Sequence, residues 1–218
     1  MGQAYLMSQN PMDLYTFERP PLLIVISGTS GAGKDSVARA LVKRMEENGF
    51  PAHFVITATS RPKREAEVDG IDYFFISKAE FEQMIAEDEL LEYALVYDQY
   101  KGIPRAQARK AMESGKDVVM RLDIQGTATI RDLAPEALLI FVTASSEEEL
   151  AKRLRRRHTE SDEQLQLRLE TARKEMEHIP EFDYVIPNPD GKLEQTIDIA
   201  MAIVAAEKHR ANPRRAKL

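Results

Sequence analysis

Gly28-Thr29-Ser30-Gly31-Ala32-Gly33-Lys34 has the make-up of a loop that wraps an anion. Glycine reaches positive φ without steric cost, so consecutive backbone N–H groups can turn toward one set of phosphate oxygens. Lys34 adds a full positive charge, and a helix starting there adds the partial charge of its N-terminus. The pattern GxxxxGK[ST] asks for a hydroxyl directly after the lysine. Here Asp35 follows, with Ser36 one place later. A carboxylate beside polyphosphate is unfavourable unless it turns outward or meets a cation. Ser36 rather than Asp35 is therefore expected to touch a bound phosphate.

Other residues of chemical interest lie downstream. Arg61 and Arg64 are three apart in a loop that also holds Thr57, and Tyr73 follows. The planar guanidinium fork fits phosphate oxygens in a way an ammonium does not. By spacing alone this is either a second phosphate pocket or a solvated charged loop. Asp123 ends an apolar run, where a carboxylate can hold Mg²⁺ or its waters, or cap the turn that follows. The run from Lys152 to Arg157 reads as a nucleic-acid patch, a solvated helix face or a lid over an anion. Arg153 and Arg157 share one helical face and Arg155 and Arg156 do not, which favours the lid.

These residues need a scaffold. The phosphate loop lies between an apolar run at 22–26 and a helical pattern through Val37, Leu41, Val42 and Met45. Strand-like runs recur at 54–56, 73–76, 117–123, 138–142 and 184–186, with an apolar stretch at 90–96. Helical patterns occupy 78–87, 104–114, 147–157, 163–178 and 193–208. Alternating strands and helices predict an α/β fold with a parallel sheet wrapped on both faces. Ligands of such sheets sit at the carboxyl ends of the strands, so the loop and Asp123 can share a crevice.

Composition narrows the class. The chain has 218 residues and a net charge of −6, which does not suit a protein built for nucleic acid. Cysteine is absent, so thiolate and disulfide chemistry are excluded. No apolar stretch approaches a membrane span, and residues 1–20 lack the pattern of a signal peptide. A cytoplasmic protein is expected, with a loose extension over 1–20 and a basic tail over 209–218 that frays. The four histidines have no metal-ligand spacing.

Taken together, these motifs resemble the guanylate kinase family over about 21–208. Ser27 to Lys34 is similar to the family's SGxSGxGK. Arg61, Arg64, Glu67, Gly70, Asp72, Tyr73 and Phe75 keep the spacing of its RxxRxxExxGxDYxF. Asp123 with Gln125-Gly126 resembles its DxQG, and Glu92 follows Leu90-Leu91 where the family places a guanine-reading glutamate. The resemblance implies a P-loop core at 21–53, 102–145 and 179–208. It also implies a small GMP-binding αβ insertion at about 54–101 and a helical lid at about 146–178. It implies transfer of the ATP γ-phosphoryl group to GMP or dGMP, with Mg²⁺ carried on the ATP phosphates and water and Asp123 as a further ligand. Gly28, Thr29, Ser30, Gly31, Ala32, Gly33, Lys34, Asp35, Ser36 and Asn188 would bind ATP. Thr57, Arg61, Arg64, Tyr73, Glu92, Lys101 and Asp123 would bind GMP. Lys34, Arg153, Arg157 and Arg168 would be catalytic.

The pattern also departs from the family. Lys101-Gly102-Ile103 stands where a Tyr-Gly-Ser/Thr is usual, so guanine selection would rest on Glu92 and Thr57. Arg121 occupies a position where an acid is common. Two rivals use the same fold: a ribose 1,5-bisphosphate kinase, which can carry Gly-Lys-Asp-Ser, and a non-catalytic guanylate-kinase-like binding module.

Overall fold

The computed structural model describes residues 19–65, 67–96, 98–156 and 162–218. Its centre is β1 (Leu23–Gly28), six buried residues in which alternate side chains serve opposite faces. On one face Leu22, Ile24 and Ile26 pack against Val37, Leu41 and Met45 of α1 (Lys34–Glu47) and Ile197, Ala200 and Val204 of α7 (Leu193–Lys208). On the other, Leu23 and Val25 meet Ala108 and Ala111 of α3 (Arg105–Glu113) and Ile130 of α4 (Ile124–Leu133). With both faces covered, the strand reads as a continuous apolar run rather than an alternating one.

Four further strands complete this parallel sheet: β2 (Ala52–Phe54), β7 (Asp117–Arg121), β8 (Leu138–Thr143) and β9 (Tyr184–Pro187). Their order is β2-β7-β1-β8-β9, and all pairs are parallel. The crossover after β1 leads to β2 at one edge, while β8 lies on the other side of β1. The chain therefore diverges at the carboxyl end of β1, where the phosphate loop sits.

A second, four-stranded sheet holds β3 (Ala58–Thr59), β4 (Phe74–Phe75), β5 (Leu90–Val96) and β6 (Gln99–Pro104) in the order β4-β3-β6-β5. It has its own apolar cluster of Ala58, Phe81 and Leu90, with Phe81 supplied by α2 (Lys78–Ala86). Ser77 and Glu80 form a reciprocal capping box at the start of α2, which fixes where that helix begins. The pair α5 (Glu147–Arg155) and α6 (Asp162–Glu177) encloses a cluster of Leu150, Leu154, Leu165, Leu169 and Ala172. Among the described residues, no helix is long and apolar enough to cross a membrane.

Several elements depart from the sequence expectations. The short β3 and the polar β6 are strands, and α4 begins directly at Ile124. The strand expected over 54–56 ends at Phe54, although Val55 N–H still donates to Val119 O at 2.9 Å. The basic tail is docked rather than frayed. Arg214 donates to Glu207 Oε2 at 2.8 Å, to Ala137 O at 3.0 Å and to Asp183 Oδ1 at 2.9 Å. Glu207 is buried near the end of α7. Burial alone would raise its pKa, but Arg214 and the Tyr184 hydroxyl outweigh that and hold it low. An acid so placed needs a partner, and the tail brings one. The proposed extension, except for residues 19 and 20, lies outside the described residues.

Candidate active site

The residues from Gly28 to Lys34 carry the chain out of β1 and into α1. Three of their glycines have positive φ: 134° at Gly28, 90° at Gly31 and 89° at Gly33. At Gly28 space matters as much as angle, since a Cβ would lie 1.8 Å from Val142 O of the neighbouring β8. Lys34 folds back over the loop, its Nζ donating to Gly28 O at 2.6 Å and Thr29 O at 3.1 Å. Burial lowers the pKa of this ammonium, and Glu175, Asp35 and Asp123 oppose that shift. Glu175, on α6, accepts from Ser30 N–H at 2.8 Å. Burial raises the Glu175 pKa, with Lys34 opposing.

Not every residue expected near the donor faces the crevice. Arg153 donates to Ala32 O at 3.1 Å and Asn188 O at 2.6 Å, and pairs with Glu149. Asn188 donates to Ala32 O at 2.8 Å and accepts from Thr196 at 3.1 Å. These two side chains brace the outside of the loop rather than line the cavity, because its turned carbonyls need donors. Arg153, expected among the lid arginines, and Asn188, expected near the donor base, thus support the loop that would hold the donor phosphates. Arg157 lies outside the described residues. Arg168 does line the cavity.

One cavity joins the loop to the second sheet. Ser30, Lys34, Asp35, Ser36 and Arg168 line it on the loop side, and Thr57, Arg61, Arg64, Tyr73, Glu92 and Lys101 on the other, with Asp123 and Arg121 also bordering it. The arginine loop is exposed over residues 62–65, yet Arg61 is largely covered and both arginines border the cavity. Arg61 forms a two-pronged contact with Glu67, one arm measuring 2.7 Å, and lies 4.9 Å from the Tyr73 ring centroid. Arg64 N–H donates to the same carboxylate at 2.9 Å. Burial alone would raise the Glu67 pKa, but Arg61 and Arg64 keep it low. Asp69 and Asp72 shape the return to Tyr73 by accepting Phe75 N–H at 2.9 Å and Val68 N–H at 2.7 Å. The acids of this motif are scaffolding for its arginines.

Glu92, on β5, is buried, and that burial, with help from Asp123, pushes its pKa up to about 8, Lys101 opposing. Burial also lowers the Lys101 pKa, and Asp123 opposes it. Asp123 caps α4, its Oδ1 accepting Gly126 N–H at 2.9 Å, and still borders the cavity. The cap reading of that residue holds. Gly126 gives Glu92 room: a Cβ there would lie 2.5 Å from Glu92 Oε2. Gly126→Ala should therefore displace the carboxylate. It is expected to lower kcat/KM for a ligand that Glu92 reads by about tenfold, and the KM of the donor should not move in the same kinetics.

Asp35 solves its own problem. Its Oδ1 lies 3.4 Å from Nη1 of Arg121, a buried residue at the end of β7. Sequence reasoning gave Arg121 no role, although an unexpected acid at 35 and an unexpected base at 121 were a visible signal. Ile103 is fully buried among apolar side chains and offers the cavity nothing polar.

No group of three or more His, Cys, Asp or Glu gathers as a metal cage among the described residues. Asp123 and Ser36 on the cavity wall are nevertheless oxygen donors of the kind Mg²⁺ takes alongside nucleotide phosphates and water.

The geometry agrees with comparisons to known proteins. The family model for guanylate kinase matches residues 21–207. Guanylate kinase 2, chloroplastic/mitochondrial, of Oryza sativa subsp. japonica is 50% identical over 195 residues, covering 89% of this chain and 67% of its own. Guanylate kinase of Caldanaerobacter subterraneus subsp. tengcongensis is 40% identical over 197 residues, covering 90% and 93%. The crystal structure of guanylate kinase from Anaplasma phagocytophilum has a TM-score of 0.71 at 26% identity and covers 89% of each chain.

Proposed function

The chain belongs to the guanylate kinase family, and on that premise we propose how its residues divide the work between two nucleotides. The activity is transfer of the γ-phosphoryl group of ATP to GMP, giving ADP and GDP. The observation that carries the division of roles is the single cavity shared by the phosphate loop and the buried Glu92.

The nucleophile is a phosphate oxygen of GMP. A phosphomonoester with a second pKa of about 6 is already mostly dianionic at neutral pH, so no general base is needed. That oxygen forms a bond to the γ-phosphorus as the bond to the bridging oxygen breaks, and the electron pair leaves with ADP. The protein's tasks are to hold two anions together and to answer charge as it moves. Lys34 and the loop N–H groups hold the ATP phosphates. Arg61, Arg64 and Tyr73 hold the GMP phosphate, with Glu67 keeping the guanidinium groups oriented. Arg168 meets the transferred group from α6, and Arg157 joins it. Lys101 reaches the acceptor phosphate from β6. Mg²⁺, when bound, draws charge from the ATP phosphates, and Asp123 and Ser36 are the residues that would hold it or its waters.

Guanine is selected by Glu92, whose carboxylate accepts from N1–H and the 2-amino group together. Adenine has an acceptor at N1 and would leave that carboxylate unpaired. Thr57 meets O6. Ser36→Ala is expected to weaken ATP binding by about tenfold, measured by calorimetry. Asp35→Ala should change it less, because Asp35 is occupied by Arg121. The reverse order of effects would overturn this assignment. We also assign the reaction to the cytoplasm; cell fractionation tests that.

The rival readings are not favoured. A sugar-phosphate acceptor has no use for a buried Glu92, and a binding module has no use for Lys34 and Arg168 converging on one cavity. The deciding experiment follows ADP release with ATP, Mg²⁺ and GMP, dGMP, AMP, UMP or ribose 1,5-bisphosphate. Turnover with GMP and dGMP is expected, and absence of turnover with GMP would overturn the reading.

A further inference from the structure

Arg121 has none of the roles assigned above, yet it lies where the two nucleotide sites meet. It is only 5% exposed. Nη2 donates to Thr57 Oγ1 at 2.9 Å and to Asp72 O at 3.3 Å. Nη1 lies 3.4 Å from Asp35 Oδ1, and the guanidinium carbon lies 4.0 Å from the centroid of the Tyr73 ring. A buried cation persists only when compensated, and here an acid, two oxygens and an aromatic face do so. Those contacts hold the fork in one place.

The consequence falls on Thr57. A threonine hydroxyl has one hydrogen and two lone pairs, whereas guanidinium has donors only. When Arg121 fills a lone pair of Oγ1, the Thr57 hydrogen cannot return the bond and must point elsewhere. Thr57 is itself buried and borders the cavity. We infer that Arg121 is a positioning residue for acceptor selection: it presents the Thr57 hydroxyl to the acceptor base as a hydrogen-bond donor. That position then favours a purine with a carbonyl oxygen at C6 over one without it. The inference rests on the reading above that Thr57 meets the base at C6.

The test compares kcat/KM for GMP, for the 2-aminopurine ribonucleotide, which keeps the 2-amino group but lacks O6 and with it the N1–H, and for IMP, which keeps O6 and N1–H but lacks the 2-amino group. Because the lost N1–H belongs to Glu92, the C6 contact is read from the change that a substitution at 121 or 57 makes in the 2-aminopurine comparison. The unmodified protein should prefer GMP over both. In Arg121→Met the preference for GMP over the 2-aminopurine nucleotide should shrink by about tenfold. The preference over IMP, which reports Glu92, should hold within about twofold. Arg121→Lys should restore part of the lost preference. Thr57→Val should shrink that preference by the same factor, leaving the part that Glu92 reads at N1, and adding Arg121→Met to it should cause no further loss.

An equal fall for all three acceptors in Arg121→Met, or an undiminished effect on the Thr57→Val background, would overturn the inference. If Arg121→Met does not fold, Arg121→Lys carries the test. An intermediate preference then supports the inference, and an unchanged one overturns it. If the unmodified protein does not prefer GMP over the 2-aminopurine nucleotide, the placement of Thr57 at C6 fails first and the inference fails with it. That outcome is distinct from failure of Arg121 alone, in which the preference exists but does not depend on residue 121.

Discussion

Lys34→Met should yield a folded protein whose kcat for GMP phosphorylation is lower by about 10³-fold, roughly 4 kcal/mol of barrier. The ammonium lies inside the loop, on Gly28 O and Thr29 O, where the donor phosphates are proposed to bind. Burial lowers its pKa, and Glu175, Asp35 and Asp123 oppose that shift. ATP phosphates arriving at the loop supply a stronger counter-charge, so the lysine can exchange two carbonyl contacts for charged ones. As charge develops on the leaving ADP, a preorganised cation gains more in the transition state than in the ground state. Methionine keeps the length and apolar stem but loses the charge. The measurement is kcat at saturating GMP across an ATP titration, with thermal unfolding as the control. A fall confined to the KM of ATP would place Lys34 in binding alone.

Glu92→Gln should cost roughly 10²-fold in kcat/KM for GMP while leaving the KM of ATP close to its original value. The pH profile carries more information. In the free protein Glu92 titrates at about 8 because it is buried and has Asp123 nearby. The protonated form therefore dominates below that pH. Only the ionised form can accept from both guanine donors, so kcat/KM for GMP should fall by about tenfold per pH unit as pH drops below 8. The phosphate of GMP itself loses its second charge only near a pKa of about 6, which leaves the window from 6.5 to 8 to Glu92. In Glu92→Gln that slope should vanish. A slope that survives the substitution would assign the titration to another group, with Lys101 the first to examine.

The fold was legible where composition and environment agree. The run into β1 is apolar because both of its faces are covered, and the glycines after it must be glycine for reasons of angle and contact. The spacing from Arg61 to Phe75 was legible because Glu67, Asp69 and Asp72 occupy fixed steps of one turn. What sequence could not show depends on partners far along the chain. Gln99–Pro104 is a strand because β5 pairs with it and because Gly102 lies against Glu92, where a Cβ would come within 2.6 Å of Glu92 O. Its polar composition gives no hint of this. Arg153 carried the right charge on a helix of the expected place, but a one-dimensional reading cannot say whether it faces ligand or loop carbonyl. The docking of Arg214 depends on a buried acid that its own segment does not reveal.

The contact between Asp35 and Arg121 also bears on how such a chain can change over generations. The two residues come from distant segments, and a half-exposed acid meets a buried base. Loss of the acid alone deprives a buried guanidinium of a counter-charge. Loss of the base alone returns a carboxylate to the edge of a phosphate site. Each first step leaves one charge without its partner, and changing both together avoids that part of the cost, which is epistasis at atomic scale. Among descendants of this chain, positions 35 and 121 should change together or not at all, and a swap of both letters should be fitter than either single swap.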